Sequence, residues 1–239
     1  MFFDHRFFVR AGVDSKRRNS IFHKLPPREV NLLEADLRQI ELHKGDIVFE
    51  LDRRSDFIYF PSDVVISFLG NTGEGGSVEV WSVGNEGVAG VSSLLGRTKP
   101  FRGVVQIPGT AFVGKTSNFR RHFHKCRAFH DALLRYYDYL LVQVAYLGIC
   151  NNNHTIEERF SRWLLMISDR AGTNQLNFTQ DSVATVLGTR RATISVAAAT
   201  LRTRRLISYS PGTIKIESRR RLEAAACGCY NWINSRDRK

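Results

Sequence analysis

The stretch Thr179-Gln180-Asp181-Ser182-Val183-Ala184-Thr185-Val186-Leu187-Gly188-Thr189-Arg190-Arg191-Ala192-Thr193-Ile194-Ser195-Val196-Ala197 decides how the chain is read. Thr179 is a plausible N-cap, because its hydroxyl can accept from a free N–H of the first turn. Val183 and Leu187 stand i, i+4 on one face, and Ala184 is small enough for a second helix to come close. Gly188 marks a short turn, and Ile194, Ala197 and Leu201 give the second helix its apolar face. Two short helices joined by a glycine turn predict a helix-turn-helix.

The polar residues of the second helix point to its use. Arg190, Arg191, Thr193 and Ser195 open it, away from Ile194 and Ala197. The first turn of a recognition helix is the part that reaches base edges in the major groove. Arginine bonds guanine twice, and Thr and Ser suit bases or phosphates. Two arginines at a helix N-terminus oppose the helix dipole, a cost that a nearby phosphate relieves. Two β-runs, Leu206–Tyr209 and Thr213–Ile216, flank Ser210-Pro211-Gly212 and predict a hairpin. A hairpin after a helix-turn-helix makes a winged helix, with Lys215 placed to lie over a phosphate. Thr179 and Gln180, at the start of the first helix, complete the expected DNA-binding set.

The charge agrees. Of 239 residues, 35 are Lys or Arg and 23 Asp or Glu, a net charge of +12. Residues 1–150 carry +4 of it and residues 151–239 carry +8. A polyanionic partner is implied, meeting the C-terminal third. Hydrophobic residues at 43% and aromatics at 11% exclude a disordered chain. Cys126, Cys150, Cys227 and Cys229 are too few and too scattered for a disulfide framework. The N-terminus lacks the apolar core of a signal peptide. The most apolar stretch, Ala132–Cys150, holds Arg135, Asp138 and Gln143, which argues against a membrane span. A reducing cytoplasm is expected.

Upstream, residues 40–114 read as all-β. Twelve of the 18 glycines fall between Gly45 and Gly114, with short β-rich runs between them. Strands at such spacing predict a roll or barrel. Leu133, Tyr137, Leu140, Val144 and Leu147 then follow the 4, 3, 4, 3 spacing of a coiled-coil seam. Asn151-Asn152-Asn153 predicts a break and a hinge, since Asn favours caps and turns. Thr155-Ile156-Glu157-Glu158 reads as a capping box that starts a helix to about Asp169. The expected fold is α+β. It comprises a flexible basic arm (1–20), a jelly-roll-like β-roll (21–127), a dimerisation helix with its hinge (128–153) and a winged helix-turn-helix (154–239).

In this order of parts, and in several motifs, the chain resembles the Crp/Fnr family of bacterial transcription regulators. The motifs are Tyr59-Phe60-Pro61, Val83-Gly84-Asn85-Glu86-Gly87, Cys150-Asn151 with His154, Glu158-Arg159 with Arg162-Trp163-Leu164-Leu165, and Leu187 through Thr193. The resemblance covers roughly residues 21–234. It implies a homodimer on a near-palindromic site in double-stranded DNA, with RNA polymerase as a further partner and Arg191 as the main base-reading arginine. Ala192 and Val196 stand where cyclic AMP-dependent members have Glu and Arg, so a different operator is expected. Arg190 replaces a common capping Ser, Arg205 a common Gly, and Ser210-Pro211 an Arg-Gly at the wing.

The resemblance also places an effector cleft, in which Glu86 would hold a ribose and Arg102 a phosphate. Gly103 follows Arg102 where the family has Ser or Thr, and Val144 and Ala145 replace polar adenine contacts. A site stripped of polar partners loses much affinity, so tight cyclic AMP binding is not expected. The effector is otherwise open. No Cys precedes Cys126, which excludes the family's N-terminal iron–sulfur arrangement. No cofactor is called for, and no enzymatic activity is expected. His122, His124, Cys126 and His130 fit no standard ligand spacing. Cys150, His154, Cys227 and Cys229 would form a zinc or redox site if the last helix packed on the hinge, but buried structural cysteines are the plainer reading. The alternative function is a cupin-like metal-binding enzyme, or a metal or redox sensor, with an accessory DNA-binding domain.

Overall fold

The computed structural model describes residues 19–73 and 75–237. Residues 1–18 of the expected arm lie outside these. The last two residues of that arm are not loose. Asn19 is fully buried and caps the first helix, and its Nδ2 donates to Pro61 O (2.9 Å) and Gly87 O (2.8 Å). Ser20 Oγ donates to Glu86 O. An amide that satisfies two buried carbonyls fixes the chain here.

In chain order the elements begin with α1 (Ser20–His23), α2 (Pro27–Glu34), β1 (Leu37–Leu42), β2 (Ile47–Phe49), β3 (Phe57–Pro61), β4 (Val65–Asn71) and β5 (Ser77–Val83). Next come α3 (Val91–Leu94), β6 (Phe101–Ile107), β7 (Gly109–Lys115), α4 (Thr116–Lys125), α5 (Arg127–Asn153) and α6 (Ile156–Ala171). The chain continues with β8 (Gln175–Leu176), α7 (Gln180–Leu187), α8 (Arg191–Thr203), β9 (Ile207–Ser210), β10 (Thr213–Ile216), α9 (Arg219–Ala225) and α10 (Cys229–Asp237). The first seven strands form two sheets, ordered β1-β7-β3 and β2-β6-β4-β5. The last three form a small sheet, β8-β10-β9. This is the expected α+β architecture.

By contact, the chain divides into two units: 1–67 with 82–137, and 68–81 with 138–239. In this division residues 68–81 group with the C-terminal residues. The first unit is held by aromatic packing. Phe60 meets Phe22, Phe119 and Phe129 at ring separations of 5.0, 5.2 and 6.4 Å. All but Phe22 of these rings are wholly buried. Each such side chain contributes about 2–3 kcal/mol on leaving water.

Two details of the long helix correct the sequence reading. The asparagines do not break it, for α5 runs through Asn153. Asn152 and Asn153 donate their side-chain amides to the carbonyls of Gly148 and Ile149, so they serve the last turn instead of ending it early. The interruption falls at His154 and Thr155, where Thr155 and Glu158 form the reciprocal cap that starts α6. The exposed apolar stripe is also turned from the predicted seam. Leu133 is buried, and the large apolar residues of α5 left open are Leu134, Tyr137, Leu141 and Val144, spaced 3, 4, 3, with Ile149 beyond them. A helix apolar all round gives one face to its own fold and leaves a residual apolar face.

Candidate nucleic-acid interface

The second unit builds the helix-turn-helix from local chemistry. Thr179 caps α7, and its Oγ1 accepts from Ser182 N (3.1 Å) while Ser182 Oγ accepts from Thr179 N (3.0 Å). Gly188 closes α7 at φ 60°, where a side chain would be strained. A Cβ at this position would also stand 3.0 Å from Val78 Cγ2. The N–H of Thr189 returns to Ala184 O (3.0 Å), so the turn is tied to the helix before it. Arg159 of α6 donates to Leu187 O (2.6 Å), satisfying a carbonyl at the C-terminus of α7.

Helix α8 presents two faces. Ile194, Ala197, Ala198 and Leu201 are buried. Arg191, Ala192, Ser195, Val196 and Ala199 are exposed, at positions i, i+1, i+4, i+5 and i+8, which is one side of a helix. Arg191 and Ser195 thus share the outward face. Arg190 is exposed at the N-cap, where its side chain makes no capping bond. Thr193 is half-buried and stands off the outward face. Sequence reasoning took Val196 only as a departure from the family. At 67% exposure it is an apolar side chain on the outward face of α8. Its signal was present in the sequence, five positions after Arg191.

The wing forms as expected. Thr213 pairs with Ser210 and Ile216 with Ile207 around Pro211-Gly212, with Gly212 at φ 76°. This is the residue pattern of a type II turn. Lys215 is exposed, but its Nζ lies 3.2 Å from Glu217 Oε2. Bonds from Ser208 and Lys215 hold the Glu217 carboxyl below its ordinary pKa. Arg202, Arg204 and Arg205 are exposed beside the hairpin. Arg205 has φ 53°, which explains why Gly is common there. Arg219 is committed elsewhere, to Asp169 (2.6 Å), Glu223 (2.9 Å) and Tyr230 (2.6 Å).

The effector residues are engaged separately. Glu86 is buried and accepts from Gly84 N (3.0 Å), closing its own turn. Arg102 lies on the exposed side of β6, 3.3 Å from Glu50. A Cβ on Gly103 would meet Phe49 Cδ2 at 2.7 Å and Phe49 Cβ at 3.1 Å. A Ser or Thr at this position would require Phe49 to shift.

Among the described residues, one group of side chains has metal-ligand character: Cys150, His154, Cys227 and Cys229. The Cys150 and Cys227 sulfurs are 3.4 Å apart, and Cys229 Sγ is 3.7 Å from His154 Nδ1. The bond from Cys227, aided by the charge of Arg162, holds the Cys150 thiol below its ordinary pKa; the same bond and burial push Cys227 up. His122, by contrast, is bonded to Asp36 (2.7 Å) and His130 to Asp131 (3.1 Å). No described helix is long and apolar enough to cross a membrane.

Residues 158–225 match the family model of the Crp-like helix-turn-helix domain. No curated protein sequence matches the chain. Three solved structures share its fold. FixK2 from Bradyrhizobium japonicum is 16% identical, with TM-score 0.68 over 80% of this chain and 98% of that one. The c-di-GMP responsive global regulator CLP of Xanthomonas campestris is 12% identical, with TM-score 0.66 over 81% and 100%. A transcriptional regulator of the Crp/Fnr family from Eubacterium rectale is 15% identical, with TM-score 0.65 over 87% and 98%.

Proposed function

We propose that this chain, a Crp/Fnr-type transcription regulator by its helix-turn-helix domain and its fold, binds a near-palindromic DNA operator as a homodimer. The observation that carries the reading is the outward face of α8, where Arg191, Ser195 and Val196 are all open to a partner. Arg191 reads a guanine, and Val196 packs on a thymine methyl in the same half-site. Arg190, with Thr179 and Gln180 at the start of α7 and Lys215 on the wing, contacts phosphates and sets the register. Thr193 supports the helix from its edge.

Dimerisation follows from α5. Leu134, Tyr137, Leu141 and Val144 leave an apolar seam whose spacing suits a second copy of the same helix. Two recognition helices then meet half-sites about 34 Å apart. The effector cleft does not take cyclic AMP tightly, since Phe49 occupies the space beside Gly103 and Arg102 is turned to Glu50. The chain acts on transcription through DNA and RNA polymerase, in the cytoplasm, with no enzymatic step of its own.

The test is selection of bound DNA from a random pool at two salt concentrations, with and without cyclic AMP. A palindromic consensus indifferent to the nucleotide is expected, together with a dimer by light scattering. A consensus that appears only with cyclic AMP would overturn the cleft assignment, and a monomer on a single half-site would overturn the seam.

A further inference from the structure

The four Cys and His side chains come from both ends of the DNA-reading domain. Cys150 lies in the last turns of α5 and His154 just after it. Cys227 follows α9, and Cys229 opens α10. Their ligand atoms all lie within 4.8 Å of one another. The three cysteines are buried, 0%, 3% and 4% exposed, beneath Tyr146. We propose that Cys150, His154, Cys227 and Cys229 form a closed tetrahedral zinc site.

The geometry favours one mononuclear ion. Zinc bonds of about 2.3 Å to sulfur and 2.0 Å to nitrogen set tetrahedral ligand atoms roughly 3.5–3.8 Å apart. The observed 3.4 Å between Cys150 and Cys227 falls just below that range, and the 3.7 Å between Cys229 and His154 falls within it. An iron–sulfur cluster places its own irons and sulfides between the thiolates and needs them farther apart. A disulfide between Cys150 and Cys227 uses two of the four side chains and leaves Cys229 and His154 without a role. Three thiolates and an imidazole form a donor set of structural zinc, with no position left for substrate.

Charge supplies an independent argument. Arg162 is 2% exposed, and its Nε has no hydrogen-bond partner. Its charge acts on Cys150, Cys227 and Cys229 alike. Arg159 also has a buried Nε without a partner, and its charge couples to Cys150 and Cys227. The buried Arg162 guanidinium faces the cysteine cluster, with Nη1 donating to Met166 Sδ (3.1 Å), and buried charges are normally paired. Zinc resolves this: Zn²⁺ with three Cys–SH and one neutral His releases three protons and leaves a site of charge −1. Arg162 is then its counter-ion. Zinc so bound locks Cys227 and Cys229 to the end of α5 and fixes α10 against the entry of the winged helix.

The experiment measures metal in full-length protein purified without an affinity metal, then replaces it with Co²⁺. One zinc per chain is expected, with the strong visible absorption of tetrahedral thiolate-bound cobalt. Cys229→Ser should lose both, by at least ~100-fold in affinity, and Arg162→Met should weaken binding by ~10–100-fold. Cys126→Ser, remote in sequence and outside the cluster, should keep full metal. Should Cys229→Ser fail to fold, the cobalt titration of the unaltered chain decides alone. Weak, octahedral-type cobalt absorption, a Cys150–Cys227 disulfide in the protein as isolated, or equal metal loss in Cys126→Ser would each overturn the assignment.

Discussion

Arg191 and Arg102 make much the same contact. Arg191 Nε lies 3.6 Å from Asp181, and Arg102 Nε lies 3.3 Å from Glu50. Both pairs are open to water, and such pairs are worth about 0.2–1 kcal/mol. What differs is the frame behind each arginine. Arg191 starts a helix fastened by a glycine turn, and its outward neighbours are small or apolar. Arg102 is followed by a glycine whose side-chain space is taken by Phe49, and Glu86 bonds its own backbone turn. An arginine becomes a binding group only where its surroundings leave a partner room to dock. That difference separates the two arginines.

The largest test of the contrast is Arg191→Ala. Loss of a bidentate guanine contact costs about 1–3 kcal/mol, or roughly 5–150-fold in operator affinity by fluorescence anisotropy. Binding to random DNA should change much less. Arg102→Ala should leave operator affinity unaltered, and a comparable loss there would erase the distinction. Restoring the family's hydroxyl by Gly103→Ser should not restore cyclic AMP binding. It should instead lower stability by about 1–3 kcal/mol in urea melts, because the new Cβ overlaps Phe49. Arg205→Gly should raise stability by about 1 kcal/mol through relief of the left-handed backbone, while weakening non-specific DNA binding slightly. The smallest effect is expected from Asp181→Asn. Freed from its carboxylate, Arg191 should bind DNA about twofold more tightly.

The sequence was most informative where structure is set by neighbours in the chain. The cap at Thr179, the turn at Gly188 and the hairpin at Pro211-Gly212 each depend on a few adjacent residues. All three stand where they were expected. The open stripe of α5 was harder, because the helix is apolar on several sides. Which side stays open depends on Leu133 being taken into the core, a tertiary fact that spacing does not reveal. The hinge was misplaced for a related reason. Asn serves helix C-termini as well as starts, and only the bonds to Gly148 and Ile149 show which. The cysteine cluster joins residues 77 positions apart, beyond any local pattern.

That cluster has a consequence in mechanics. The side chains that bracket residues 155–226 come within 4.8 Å of one another. A segment strung between two distant anchors is stretched when either moves, whereas one whose ends meet is not. A segment of this kind is also separable: its ends already meet, so it can be cut out, or transplanted onto another helix ending, without leaving a gap to bridge.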